Sequence, residues 1–166
     1  GKVSTPAQIF AQLRAATYVA DDVFTENFAR LVVRTNGQRK KLAKYILAKL
    51  EGDLAGHNID PDTDPATIEH ILPENPSDSW NAMIPRDRWE EYAYRIGNLT
   101  LLEPGLNRNI GNSDYATKVA AYPQSAYAMT RELPNTAPSE WTQELIQHRQ
   151  SQLARRAAHL WRIDYH

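Results

Sequence analysis

The six residues Ile68-Glu69-His70-Ile71-Leu72-Pro73 constrain this chain more than any other stretch. A carboxylate and an imidazole stand side by side in an apolar run, and a proline closes the run. Proline gives no N–H to a β-ladder and restricts the residue before it, so Thr67 to Leu72 reads as a short strand that Pro73 halts. Neighbours in an extended strand point to opposite faces. Glu69 and His70 can therefore serve one site only if the strand twists or ends there, and Pro73 favours an early end. A second strand is expected over Arg95 to Leu102, through Ile96-Gly97-Asn98-Leu99-Thr100-Leu101-Leu102. Pro104 then stands where a helix can begin, and that helix carries Asn107. A strand, a returning strand and a helix can converge side chains from all three on one pocket.

The remainder reads as helical. Apolar residues at helical spacing predict a helix over 6–33, which Asp21-Asp22 would interrupt if it is not continuous, and Asn36-Gly37 then marks a turn or a helix stop. A second helix is expected over 38–50, with Leu42, Tyr45, Ile46 and Leu50 on one face and Arg39, Lys40, Lys41, Lys44 and Lys49 on the other. That basic cluster is either a solvated face or a phosphate-contacting one. Residues 51–66 read as loop. The expected organisation is thus an N-terminal helical segment, 1–56, followed by a site-bearing core with C-terminal helices, 57–166. Ser113 can cap a helix over 114–121, a short helix follows Pro123, and a last helix runs from Pro138-Ser139 to about Ile163. Trp141 and Trp161 on that helix are expected as core anchors.

At 166 residues the chain can bury one substantial core. It has no cysteine, which excludes disulfides, thiolate metal sites and a cysteine nucleophile. That fits a cytoplasmic protein. No apolar run reaches membrane-spanning length, so no membrane partner is expected. Net charge is −1, unlike a strongly basic DNA-binding domain, so contact with nucleic acid must be local or depend on another domain.

Cleaving a phosphodiester needs a base to deprotonate water and a cation to neutralise charge on the phosphate and the leaving oxygen. Histidine suits the first task. Carboxylate and amide oxygens suit a hard cation that keeps several waters. The ordered set Glu69-His70-Ile71-Leu72-Pro73, Gly97-Asn98-Leu99-Thr100-Leu101-Leu102 and Leu106-Asn107 resembles the His-Me finger (HNH) nuclease pattern. More closely, it resembles the C-terminal nuclease domain of GmrSD-type modification-dependent restriction proteins. The later landmarks of that pattern are matched by Lys118, Tyr122, Ser125 and Trp141, and the likeness covers roughly residues 40–163.

The resemblance implies a mostly α fold with a small β component, a helical domain with an embedded ββα-metal finger. It implies His70 as general base, Glu69 and Asn107 as ligands of one divalent cation, and Asn98 as the asparagine that positions the histidine. Many superfamily members have aspartate and histidine where this chain has Glu69 and Asn107. The oxygen ligands favour Mg2+ or Mn2+ over zinc. Arg108 and Lys118 are candidate phosphate contacts or solvated cations, and Asn109 and Asn112 are candidate caps or phosphate contacts. The implied partner is double-stranded DNA, and the implied context is phage defence, with an upstream NTP-using domain that senses modified DNA and joins through residues 1–50. The rivals are a catalytically inactive HNH-like interaction module and an RNA-directed nuclease.

Overall fold

The computed structural model describes residues 20–161. It is mostly helical, with one two-stranded antiparallel sheet. The expected helix over 6–33 lies largely outside the described residues; within them, α1 is Asp21–Phe28. Asp21 and Asp22 stand in its first turn, after a non-helical Ala20, which suits the positive end of the helix dipole. The chain leaves the helix after Phe28, and Val32 pairs in an isolated bridge with Arg95.

Helix α2, Gly37–Ala55, runs five residues beyond its expected end and stops at Gly56, whose positive φ of 73° is the left-handed conformation that glycine adopts at little cost. Its buried face is Ala43, Ile46, Leu47 and Leu50, spaced at three and four residues. Leu42 and Tyr45, expected on that face, are 50% and 41% exposed. Tyr45 instead stacks on Trp161, centroids 6.3 Å apart. The same helix packs into one hydrophobic cluster with Ile68, Leu99, Leu101, Leu153 and Ala157, so residues before and after the 51–66 connection share a core. Fully burying an aliphatic side chain of this size stabilises by about 1.5–3 kcal/mol.

Strand β1 is Thr67–His70, and β2 is Leu99–Leu102. Their register sets Glu69 opposite Thr100 and His70 opposite Leu99. Both strands are shorter than expected. β1 ends at His70, ahead of Pro73, and Ile96–Asn98 coils into a 3-10 turn instead of extending. The reason is packing. A Cβ at Gly97 would strike the Ile146 carbonyl oxygen and lie 2.8 Å from Gln150 Cβ, so the turn is pressed directly onto the last helix.

Short helix α3, Trp89–Ala93, precedes this turn. Helix α4, Pro104–Ile110, follows β2 with proline in its first turn, as expected. Helix α5, Tyr115–Ala121, is capped by Asp114, whose carboxylate accepts from Thr117 N, and not by Ser113. Two short helices, α6 (Ala128–Arg131) and α7 (Leu133–Thr136), lead to α8, Gln143–Leu160. α8 begins at Gln143, later than expected, because the Thr142 hydroxyl is placed to accept from Leu145 N and cap it. Trp141, just ahead of α8, is buried in a second cluster with Trp80, Tyr92, Tyr115 and Tyr122; Trp161 is half-buried at the edge of the first. Among the described residues, no helix is long and apolar enough to cross a membrane.

Candidate active site

A cleft of about 250 Å³ opens where β1 ends, and it is lined by Glu69, His70 and Asn107 together with Lys118, Lys40 and Thr35. The strand's early end answers the question of facing: Glu69 and His70, adjacent in sequence, both reach this one cleft. Yet the two sit in different surroundings.

Glu69 is 2% exposed. Its Oε1 accepts from Lys118 Nζ at 2.7 Å and from Tyr122 OH at 3.0 Å. Lys118 Nζ also donates to the His70 carbonyl at 2.7 Å, so it ties the strand end as well as the carboxylate. Burial raises the Glu69 carboxyl above its ordinary range and lowers the Lys118 ammonium below its own, loss of hydration outweighing the attraction between them. Lys118, at 1% exposure, is therefore a buried partner of Glu69 that also lines the cleft.

His70 keeps 13% of its side chain exposed. Its Nε2 lies 3.0 Å from Thr35 Oγ1 and 3.6 Å from Glu74 Oε1, and the Tyr94 ring meets it edge-on at 5.8 Å. Burial pushes the imidazole down to about 4, against an opposing pull from the Glu74 carboxylate. The ring is thus neutral at physiological pH.

Asn107 reaches back from α4. Its Nδ2 donates to Thr67 Oγ1 at 2.9 Å and to the Ile68 carbonyl at 3.1 Å. Both amide protons are used on β1, which fixes the side chain's orientation and leaves Oδ1 without a hydrogen bond among the described residues.

Asn98 does not touch the His70 ring. It is fully buried at the end of the 3-10 turn. Its Oδ1 accepts from Leu72 N at 2.8 Å and Trp141 Nε1 at 2.9 Å, and its Nδ2 donates to the carbonyls of Leu72 at 2.9 Å and Ala93 at 3.0 Å. Its backbone carbonyl accepts from Ile71 N at 3.0 Å. Asn98 therefore carries the pairing on past the last residue of β1, through Ile71 and Leu72. Arg149 braces the same turn: Nη1 donates to the carbonyls of Gly97 at 2.7 Å and Leu99 at 2.8 Å.

Of the basic candidates, Arg39, Lys40 and Lys41 are exposed on the first turns of α2, and Lys40 lines the cleft. Lys44 is half-buried, its Nζ committed to the Asp64 carbonyl at 2.6 Å. Arg108 is exposed on α4, away from the cleft lining. Asn112 lines the cleft, whereas Asn109 does not.

Thr35 and Glu74 have no counterpart in the sequence reading. Thr35 is far from His70 along the chain and lies in an irregular connection, so no local pattern exposes it. Glu74 had a signal: an acid four residues after the histidine, directly beyond the proline that turns the chain.

Among the described residues, no group of three or more histidine, cysteine, aspartate or glutamate side chains could hold a metal ion. The cleft does carry oxygens of the hard type: the Glu69 carboxylate and Asn107 Oδ1. That donor set fits a magnesium-like ion that keeps most of its waters and takes one or two protein ligands.

None of the curated proteins compared matches the chain. The family model for GmrSD restriction endonucleases, C-terminal domain, matches residues 18–156, a span that takes in both strands, α4 and nearly all of α8. On that match, the chain belongs to the family of GmrSD restriction endonuclease C-terminal domains.

Proposed function

We propose that this chain is a divalent-metal-dependent DNA endonuclease or nickase with an HNH-type ββα finger formed by β1, β2 and α4, acting as the effector domain of an anti-phage restriction system. Membership of the restriction endonuclease family supports the nuclease role. The observation that carries the finer reading is the convergence of Glu69, His70 and Asn107 on one cleft at the end of β1.

In this reading His70 takes the proton from the attacking water, a task that needs the neutral imidazole its burial provides. Glu69 and Asn107 would hold a single Mg2+ or Mn2+, which when bound supplies charge neutralisation at the phosphate and leaving oxygen. Asn98, through Leu72, and Lys118, through the His70 carbonyl, hold the strand end from which Glu69 and His70 project. Lys118 already neutralises Glu69, so the cleft offers a free cation little net negative charge. Metal affinity is then expected to rise sharply when a DNA phosphate enters. Residues 1–56 are read as the segment joining an upstream NTP-using, modification-sensing domain, and the location as cytoplasmic.

The buried Glu69–Lys118 pair also favours a second reading, a finger that kept its frame and lost metal and activity. One experiment separates the two. Supercoiled plasmid is incubated with the protein and Mg2+ or Mn2+, with and without EDTA, alongside an RNA substrate. The endonuclease reading expects metal-dependent nicking that His70→Ala reduces at least about 100-fold with the fold retained. Full activity in His70→Ala overturns it, no cleavage of either substrate favours the inactive module, and cleavage of RNA alone favours the RNA-directed nuclease.

A further inference from the structure

The Thr35 hydroxyl has one proton and two neighbours: Glu74 Oε1 at 3.1 Å and His70 Nε2 at 3.0 Å. An ionised carboxylate only accepts, so the hydroxyl proton goes to Glu74. Thr35 Oγ1 must then act as acceptor toward the ring, and Nε2 must carry the hydrogen. A neutral imidazole protonated on Nε2 has its lone pair on Nδ1. That nitrogen makes no hydrogen bond among the described residues. Nor is it sealed off, because the side-chain atoms found buried without a partner are Arg95 Nε and Arg149 Nη2.

The placing of Thr35 is built into the fold. The strip that carries it is stitched to the connection ahead of β2: Val33 N donates to the Tyr94 carbonyl at 2.8 Å, Ile96 N to the Leu31 carbonyl at 3.3 Å, and Val32 bridges Arg95. Gln150 Nε2 holds the carbonyls of Phe28 at 3.0 Å and Leu31 at 2.9 Å from below. Arg34 adds an ion pair to Glu90 and a cation–π contact with Tyr94 at 5.1 Å.

We infer that Thr35, which lies outside the strand–strand–helix unit, and Glu74, in the connection between its strands, are positioning residues that hold His70 in its Nε2–H tautomer and leave Nδ1 as the proton acceptor. The inference rests on the proposed role of His70 as base, but its central readout does not depend on cleavage. The carboxylate orients the hydroxyl, the hydroxyl orients the ring, and the strip between α1 and α2 thereby controls the reactive nitrogen.

The test is a two-bond 1H–15N correlation spectrum of the full, metal-free chain at neutral pH, with the His70 signals identified by their loss in His70→Asn. The expected result is a predominantly Nε2–H ring in the wild type and in Thr35→Ser, which keeps the hydroxyl. In Thr35→Val with Glu74→Ala, the ring loses that fixed tautomer while the amide spectrum retains its dispersion. Under cleavage conditions the double variant is expected to lose at least about tenfold in kcat with KM unchanged, and Thr35→Ser to stay near wild type. An Nδ1–H ring in the wild type overturns the inference. So does a tautomer unmoved in the double variant, or a tautomer that moves while kcat does not. A wild type with no cleavage at all, but with the expected tautomers, overturns the nuclease reading and leaves the tautomer assignment standing.

Discussion

The two sides of the candidate site are built on different principles. On the inner side, around Glu69 and the turn ahead of β2, polar groups are buried and paired inside the protein: Glu69 with Lys118 and Tyr122, Asn98 with Leu72, Ala93 and Trp141, and Arg149 Nη1 with two carbonyls. Arg149, 9% exposed and pushed down to about 10 by burial, keeps its Nη2 buried there without a partner. On the outer side, toward the start of α2, His70, Thr35 and Glu74 form a network whose members border an open cleft. The step from Glu69 to His70 crosses from one regime to the other. Removing one member of a charged pair whose side chains are 1% and 2% exposed strands its partner with little water, whereas His70, 13% exposed to the cleft, is more readily rehydrated. The inner side should therefore report in stability and the outer side in chemistry.

The largest effect that follows is on the inner side. Lys118→Ala leaves the Glu69 carboxylate buried with Tyr122 OH and the His70 backbone N–H but no cation, and breaking a buried pair in this way costs about 3–5 kcal/mol. Urea unfolding in EDTA should show that loss as a lower midpoint with an unchanged slope. A loss below about 1 kcal/mol would mean that water reaches Glu69, and the contrast between the two sides would fail. Added Mg2+ sharpens the point, because a cation can replace the lost ammonium: partial recovery of the midpoint is expected in Lys118→Ala and little change in the wild type.

Much of this was legible from residue order. Pro73 fixed where β1 could not continue, Pro104 marked the start of the Asn107 helix, and Asn36-Gly37 marked the start of α2, whose end at Gly56 the loop-like reading of 51–66 placed too early. What stayed hidden depends on partners far away in the chain. Lys118 reads as one more surface cation until Glu69 is found beside it. Asn98 reads as a residue aimed at the histidine until packing against Ile146 and Gln150 coils its backbone into a turn. Thr35 carries no signal because its role exists only once Val33 and Tyr94 are joined. The buried face of α2 was misplaced by one residue, because Leu42 and Tyr45 look like core residues in any hydrophobicity pattern and only tertiary packing chose Ala43, Ile46 and Leu47 instead.

A smaller effect tests the cleft side through pH in the metal-free protein. Burial lowers His70 from 6.5 to about 4 in the folded state, so between those values the unfolded chain binds a proton that the folded chain does not. Its contribution is fully present above pH 6.5 and is lost as pH falls toward 4, at a limit of about 1.4 kcal/mol per pH unit. Other groups, including Glu69 with its opposite shift, titrate in both proteins, so the comparison is wild type against His70→Asn. The stability difference between them should shift against the wild type as pH drops through this window. A difference that stays constant from pH 7 to 4 would mean that the ring is as hydrated as in the unfolded chain.

The smallest predicted effect concerns the basic start of α2. Arg39, Lys40 and Lys41 occupy its first turns, where the helix dipole disfavours positive charge; no acidic residue stands there and Asn36 makes no side-chain cap. A merely solvated face has no reason to concentrate cations at that end. A phosphate does, since cations and free N–H groups at a helix start attract the same anion. Lys40, which lines the cleft, should therefore contact DNA, while Lys44, tied to the Asp64 carbonyl, should not. In binding titrations across salt concentrations, Lys40→Ala should lower the slope of log K against log salt by about 0.9, the value for one phosphate contact, and Lys44→Ala should leave it unchanged. Equal slopes in Lys40→Ala and wild type would return this face to solvent. The cleft would then depend on a partner domain to bring DNA to it, which is the arrangement a net charge of −1 already makes economical.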